Sequence, residues 1–321
     1  MPARSTLKTT TMADSSTTRR ELLSAGLGGA AAIGWMAGVP GAAMAANSAA
    51  GAPASPLQTS PLPADSAAQN EATVTLYGNS AGGESLFRTR GVIYAVQPTG
   101  IRALYAMVGS ERSWWKRLDA TRWVRYPSTL SFFRDLESGE WLQTYANPLN
   151  GRSVQLPASY IRHKEGEFYT PSGHYFGSMK QQFPDYYKDE AIKLDWEAGG
   201  DTVRLRGSSK FPPILPQPSL ECATLFSSAR QILDRRTTRA EAHGAGWNIF
   251  AWHPYLEMGD IPGHIIWHFD AVKVGGVADL DPAYVARARA HTPLFDQSPE
   301  LDEGPTFFER ILQRRKAAAS G

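Results

Sequence analysis

Between residues 71 and 210 the chain is dense in aromatic and β-branched residues, and turn signals cut it about every 8–15 residues. The clearest turns are Gln97-Pro98-Thr99-Gly100, Leu136-Glu137-Ser138-Gly139, Asn147-Pro148-Leu149-Asn150-Gly151, His163-Lys164-Glu165-Gly166 and Glu197-Ala198-Gly199-Gly200-Asp201. Short apolar runs at that spacing predict an antiparallel meander, as in a barrel or a sandwich. Alternate residues of a strand share a face. Phe87–Val96 therefore divides into Arg88, Arg90, Val92, Tyr94 and Val96 on one side and Phe87, Thr89, Gly91, Ile93 and Ala95 on the other. Trp141–Asn147 divides into Trp141, Gln143, Tyr145 and Asn147 against Leu142, Thr144 and Ala146. No βαβ rhythm occurs and no Gly-rich loop follows a strand, which argues against a nucleotide-binding fold.

Helical periodicity enters late. Ser219 can cap a helix to about Arg235, with Leu220, Ala223, Phe226, Ala229 and Leu233 along one face. Asp281-Pro282 opens a second, because proline suits the first helical position. Phe307 to Ala318 forms a third with a basic face. Between the first two lies a hairpin, Trp247–Trp252 and His264–Val274. The expected fold is mainly β, a β-rich α+β domain over residues 71–316. It is an antiparallel meander or barrel, lipocalin-like in logic, with two or three peripheral helices.

The N-terminal part has another pattern. Arg19-Arg20 precedes an apolar stretch, Leu22 to Ala37, and the segment closes on the small-x-small site Ala43-Met44-Ala45. Gly26, Gly28, Gly29, Gly34 and Gly38 dilute it below what a membrane-spanning helix needs, so no stable anchor is expected. Residues 1–45 thus read as a twin-arginine signal, recognised by that export machinery, with a periplasmic or secreted destination. Residues 46–70, rich in Ala, Ser, Pro and Gln, read as a disordered linker.

Charge then changes meaning. The whole chain has 33 basic and 31 acidic residues; the first 45 hold four basic and two acidic, so the remainder carries 29 of each sign. That balance gives no electrostatic footprint for nucleic acid. Cys222 is the single cysteine, so no internal disulfide supports the fold. It reads as an inert thiol in an apolar setting rather than a nucleophile. No G-x-S-x-G elbow is present.

Candidate chemistry concentrates in residues 252–268. His264 and His268, on one strand face, would stand about 13 Å apart at normal strand rise, too far to chelate one ion directly. A metal site from His253, one of these two, and Glu257 or Asp260 stays open, but the spacing matches no established ligand signature, and no metal or other cofactor is expected. His253, His268, Tyr94 and Arg90 are the candidates for acid–base or anion-orienting work. Eight tryptophans follow residue 45, and Tyr145, Asn147, Trp252 and Trp267 are candidates to line a small-molecule cavity. A sheet with one wet face explains the same mixed strand faces without a ligand.

Trp252, Met258-Gly259-Asp260, Pro262-Gly263 and the strand ending in His268 together resemble the hallmark of the domain-of-unknown-function family 1838. Arg90–Val96, Asn147–Gly151 and the arginine pair resemble that family's other stretches. The resemblance covers most of residues 73–310 and implies no reaction. The functional expectation is an exported, cofactor-independent enzyme, a lyase, isomerase or hydrolase, acting on a small apolar or aromatic molecule in a β-barrel cavity. Its rivals are a non-catalytic lipocalin-like binding protein and a structural or assembly factor of the cell envelope.

Overall fold

The computed structural model of the chain describes residues 65–177, 180, 192–210 and 218–319. The segment read as an export signal, and the stretch read as a linker up to residue 64, lie outside these. Thirteen strands follow in order: β1 Gly83–Gln97, β2 Gly100–Arg117, β3 Trp123–Arg134, β4 Thr144–Ala146, β5 Ser153–Gln155, β6 Ser159–Arg162, β7 Glu167–Thr170, β8 Gly173–Phe176, β9 Ile192–Gly199, β10 Thr202–Lys210, β11 Ser219–Ser228, β12 His243–Phe250 and β13 His264–Val274. Among the described residues the α-helices are α1 Ser66–Tyr77, α2 Ala229–Leu233, α3 Pro282–His291 and α4 Phe307–Ala319.

Eleven strands make one antiparallel sheet in the order β8-β7-β3-β2-β1-β13-β12-β11-β10-β9, with β6 also pairing β3. Two meanders, β1–β3 and β9–β13, are thus joined where β1 pairs β13. The sheet curls into a half-barrel. Tyr77 of α1 shows the curl. Its ring lies 6.4 Å from that of Tyr169 on β7, while its hydroxyl lies 3.7 Å from where a β-carbon on Gly207 of β10 would stand. These two strands lie near opposite ends of the sheet. Two glycines permit the bend. A side chain at Gly91 would run into the His268 carbonyl and Phe269, and one at Gly109 into Ser131 and the Leu130 carbonyl.

The mainly-β expectation holds, as do the helices opening at Pro282 and Phe307; the hairpin expected over Trp247–Trp252 and His264–Val274 forms, with its first arm placed earlier, at His243–Phe250. The helix expected over 219–235 does not form. Ser219–Ser228 is a strand bonded to β10 and β12, and only Ala229–Leu233 is helical. Its Ser219, Glu221, Ala223, Leu225 and Ser227 are buried while the intervening residues are half-buried. Small and polar residues on the inward face hid that alternation, and pairing on both sides overrode the weak helical period. In Trp141–Asn147 only Thr144–Ala146 forms a strand, paired with β5 in a separate two-stranded sheet, while Trp141 makes an isolated antiparallel bridge to Arg134.

Helix α1 begins inside the stretch read as linker. Asp65 caps it, accepting hydrogen bonds from the backbone amides of Ala67 and Ala68. Its Val74, Leu76 and Tyr77 are buried in the main core with Phe87, Ile93, Leu205, Leu225 and Phe269. Lys273 holds its far end, donating from Nζ to the carbonyls of Thr75, Leu76 and Gly78. A cation at a helix C-terminus meets the negative end of the dipole. Burial nevertheless pulls the ammonium well below its usual pKa, and Arg239 adds repulsion. On the convex side α3 covers the β1–β3 meander, burying Tyr284, Val285 and Ala288 against Leu86, Leu130 and Phe132.

Candidate ligand site on the concave face

Register places one cross-strand row on the inner face. Ser209 on β10 faces Glu221 on β11, Glu221 faces Asn248 on β12, and Asn248 faces Trp267 on β13. Trp267 faces Ile93 on β1, which faces Tyr105 on β2. All six are buried. The segment after β12 lies against this row. The His253 ring is 5.6 Å from Trp267 and nearly perpendicular to it, 5.7 Å from Phe250, and stacked 5.1 Å from Tyr255. The Tyr255 and Tyr105 hydroxyls are 3.4 Å apart, and Tyr105 packs edge-on against Tyr145 at 5.1 Å and Phe133 at 4.9 Å. These rings form an aromatic wall.

Within the wall, polar atoms are buried without partners: Asn248 Oδ1, His253 Nε2 and Trp267 Nε1. Asn248 and Trp267 oppose each other across the β12–β13 ladder, yet neither bonds the other. Burial lowers the His253 pKa to about 3, which leaves the imidazole neutral. Burial also raises the Tyr105 and Tyr255 hydroxyls well above the usual phenol range. The wall therefore presents neutral donors and acceptors. Buried polar groups normally find partners, so three orphans in contact distance of one wall call for an explanation.

A second polar cluster on the same face is built differently. Arg125 forms ion pairs with Glu111 at 2.6 Å and with Glu167, all three buried. The guanidinium lies 5.7–5.8 Å from the rings of Tyr77, Trp115 and Tyr169. Burial raises both carboxylates above their ordinary pKa against the opposing pull of Arg125. His174 packs 4.1 Å from Tyr169, and burial lowers its pKa to about 3.

The four catalytic candidates do not meet. Arg90 is exposed and Tyr94 and His268 are half-buried on the convex face, where the last two rings are 6.4 Å apart. His253 lies on the concave side of the sheet, against Trp267. Burial lowers the His268 pKa, with Asp270 opposing. The lining candidates divide by role. Tyr145 and Trp267 belong to the wall, with burial raising the Tyr145 pKa to about 12. Asn147 and Trp252 fix the loop instead. Asn147 Nδ2 donates to the Leu256 carbonyl at 2.9 Å, and Trp252 Nε1 donates to the Ile261 carbonyl at 2.8 Å. Cys222 is half-buried, not enclosed, and burial raises its thiol pKa. Among the described residues no group of three or more His, Cys, Asp or Glu gathers as metal ligands, and His253, Glu257, Asp260, His264 and His268 supply none.

Glu221, Asn248, Tyr105 and the Arg125 cluster were not singled out from sequence. Glu221 was concealed by the helical reading. Asn248 carried a usable signal, being the polar residue on the Gly244, Gly246, Phe250 side of a strand.

The stretches that carried the family resemblance converge on this loop. Asn150 Nδ2 donates to the Leu256 and Glu257 carbonyls, each at 3.0 Å. Gly263, at φ 138°, sits so close to the Val96 carbonyl and the Trp252 ring that a side chain would strike both. Glu257 takes a left-handed conformation, φ 53°, just after the His253–Leu256 turn.

Fold and site together define an open antiparallel half-barrel with an aromatic, polar-studded interior. The chain belongs to the family described as a protein of unknown function (DUF1838), which matches it over residues 82–306. Among curated proteins no match was found. Helix α1 precedes the matched segment although Leu76 and Tyr77 are core residues.

Proposed function

We propose that the protein binds a small apolar or aromatic molecule on the concave face of its half-barrel, against His253, Trp267 and Tyr105, and does so outside the cytoplasm after twin-arginine export. One observation carries the binding site: Asn248, His253 and Trp267 each bury a polar atom with no partner, beside an aromatic wall. Apolar walls with a few convergent polar groups are the ordinary make-up of small-molecule sites. The arginine pair at Arg19-Arg20 and the Ala43-Met44-Ala45 site support the destination.

Binding without turnover fits best, because the acid–base candidates lie on opposite faces and His253 has no charged partner. A cofactor-independent lyase, isomerase or hydrolase is the second reading. It is favoured by one feature, the Glu221 carboxylate facing Asn248 in the same row. Tryptophan fluorescence and thermal unfolding across a metabolite panel separate the two. Saturable binding with ligand recovered unchanged is expected. Conversion of a bound compound would favour the enzyme, and a panel with no binder would sink both.

A further inference from the structure

We infer that the ligand is an uncharged planar molecule whose polar edge carries a hydrogen-bond acceptor for Trp267 Nε1 and a donor for Asn248 Oδ1. A cyclic amide and a hydroxy-ketone edge share this chemistry. The inference rests on the binding reading above.

Each orphaned atom limits the group that can answer it. An indole N–H only donates, so Trp267 requires an acceptor. A side-chain amide oxygen only accepts, so Asn248 requires a donor. The two residues oppose each other directly on the inner face, so one ligand edge can answer both demands. His253 Nε2 adds a third unpartnered position beside Trp267. Flatness follows from the wall, where His253 and Tyr255 stack at 29° and Trp267 stands edge-on at 81°.

Neutrality follows from the absence of a counter-charge at these three residues. Asn248 and Trp267 carry none, and His253 is buried neutral. Glu221, the carboxyl of the row, lies one strand beyond Asn248 and offers an anion no counter-charge. An ammonium would leave the Trp267 N–H without an acceptor. Moving either ion out of water without a partner is costly.

Equilibrium dialysis of the protein with four two-ring probes tests this: 2-quinolone, naphthalene, 2-naphthoate and 2-naphthylmethylammonium. 2-Quinolone, with adjacent C=O and N–H, is expected to bind about tenfold tighter than naphthalene, the gain of one to two net hydrogen bonds. The charged probes are expected to bind more weakly than naphthalene. Trp267→Phe should abolish the preference, so that 2-quinolone and naphthalene bind this variant equally. Thermal unfolding of the same variant separates lost binding from lost fold. Equal binding of 2-quinolone and naphthalene, or tightest binding of either charged probe, would overturn the ligand class while leaving an interior site. If no probe binds and the metabolite panel is also silent, the site itself is refuted.

Discussion

The two buried polar clusters of the concave face are built on opposite principles. Around Arg125, charges are present and answered: two carboxylates and three rings surround one guanidinium. Around His253 nothing is charged, and three polar atoms go unanswered. A buried ion cluster tolerates no missing member, because each charge desolvates at the expense of the others. A neutral unpaired group costs less and stays ready for an incoming partner. Unanswered atoms alone do not separate structural from functional polarity here, since the Tyr77 and Tyr169 hydroxyls and Glu167 Oε1 beside Arg125 also lack hydrogen-bond partners; what separates the clusters is charge.

The largest test of that contrast is Arg125→Met. It leaves Glu111 and Glu167 facing each other in the core, and denaturant unfolding should lose about 3–5 kcal/mol. A loss below about 1 kcal/mol would break the structural reading of the cage.

Acid gives the two clusters opposite signs. His253 has a folded pKa near 3, below its ordinary 6.5, so the unfolded chain binds the extra proton between those values. Stability contributed by neutral His253 is therefore complete above 6.5 and is lost toward pH 3, at up to about 1.4 kcal/mol per pH unit. Glu111 and Glu167 have raised folded pKa values, so the native state binds more protons above the ordinary 4.5. Their contribution is complete below 4.5 and is lost as pH rises through the folded values. His253→Phe should flatten the acid-side slope, and Glu111→Gln the opposing one. Urea titrations from pH 4 to 7, compared with the unaltered protein, read both, since His174 shares the His253 sign and cancels in the difference.

A smaller effect sharpens the contrast from the ligand side. Asn248→Leu removes an unanswered group, so stability should hold or rise by about 1 kcal/mol while affinity for 2-quinolone falls. Loss of both together would mean that Asn248 serves the fold. The smallest effect belongs to the convex face. Arg90→Ala, Tyr94→Ala and His268→Ala should each change stability by no more than about 0.5 kcal/mol and leave binding intact, by dialysis and thermal melts.

Much of the frame was legible in sequence because it rests on local chemistry. Gln97-Pro98-Thr99-Gly100 makes the β1–β2 turn, and Asp281-Pro282 starts α3 with Asp281 capping Ala283. The site was legible only in part. Trp267 and Tyr145 are large aromatics on alternating positions, and such residues declare themselves. Tyr94 and His268 have the same chemistry, but the side of the sheet that is concave depends on the curl, which no strand specifies alone. Glu221 and Arg125 acquire their meaning from partners on other strands, and Tyr77 from a helix that lay within a polar stretch.

The seam between β1 and β13 governs the order of events during synthesis. Strands β1 to β3 are neighbours in both sequence and space and can pair as soon as they emerge. Strand β1 then waits with one ladder unfilled, because Arg90 meets Asp270 and Val92 meets His268 only after roughly 180 further residues have been made. Until then its bonding edge is open to any passing strand. Closure of this one long-range ladder should set the folding rate of the chain.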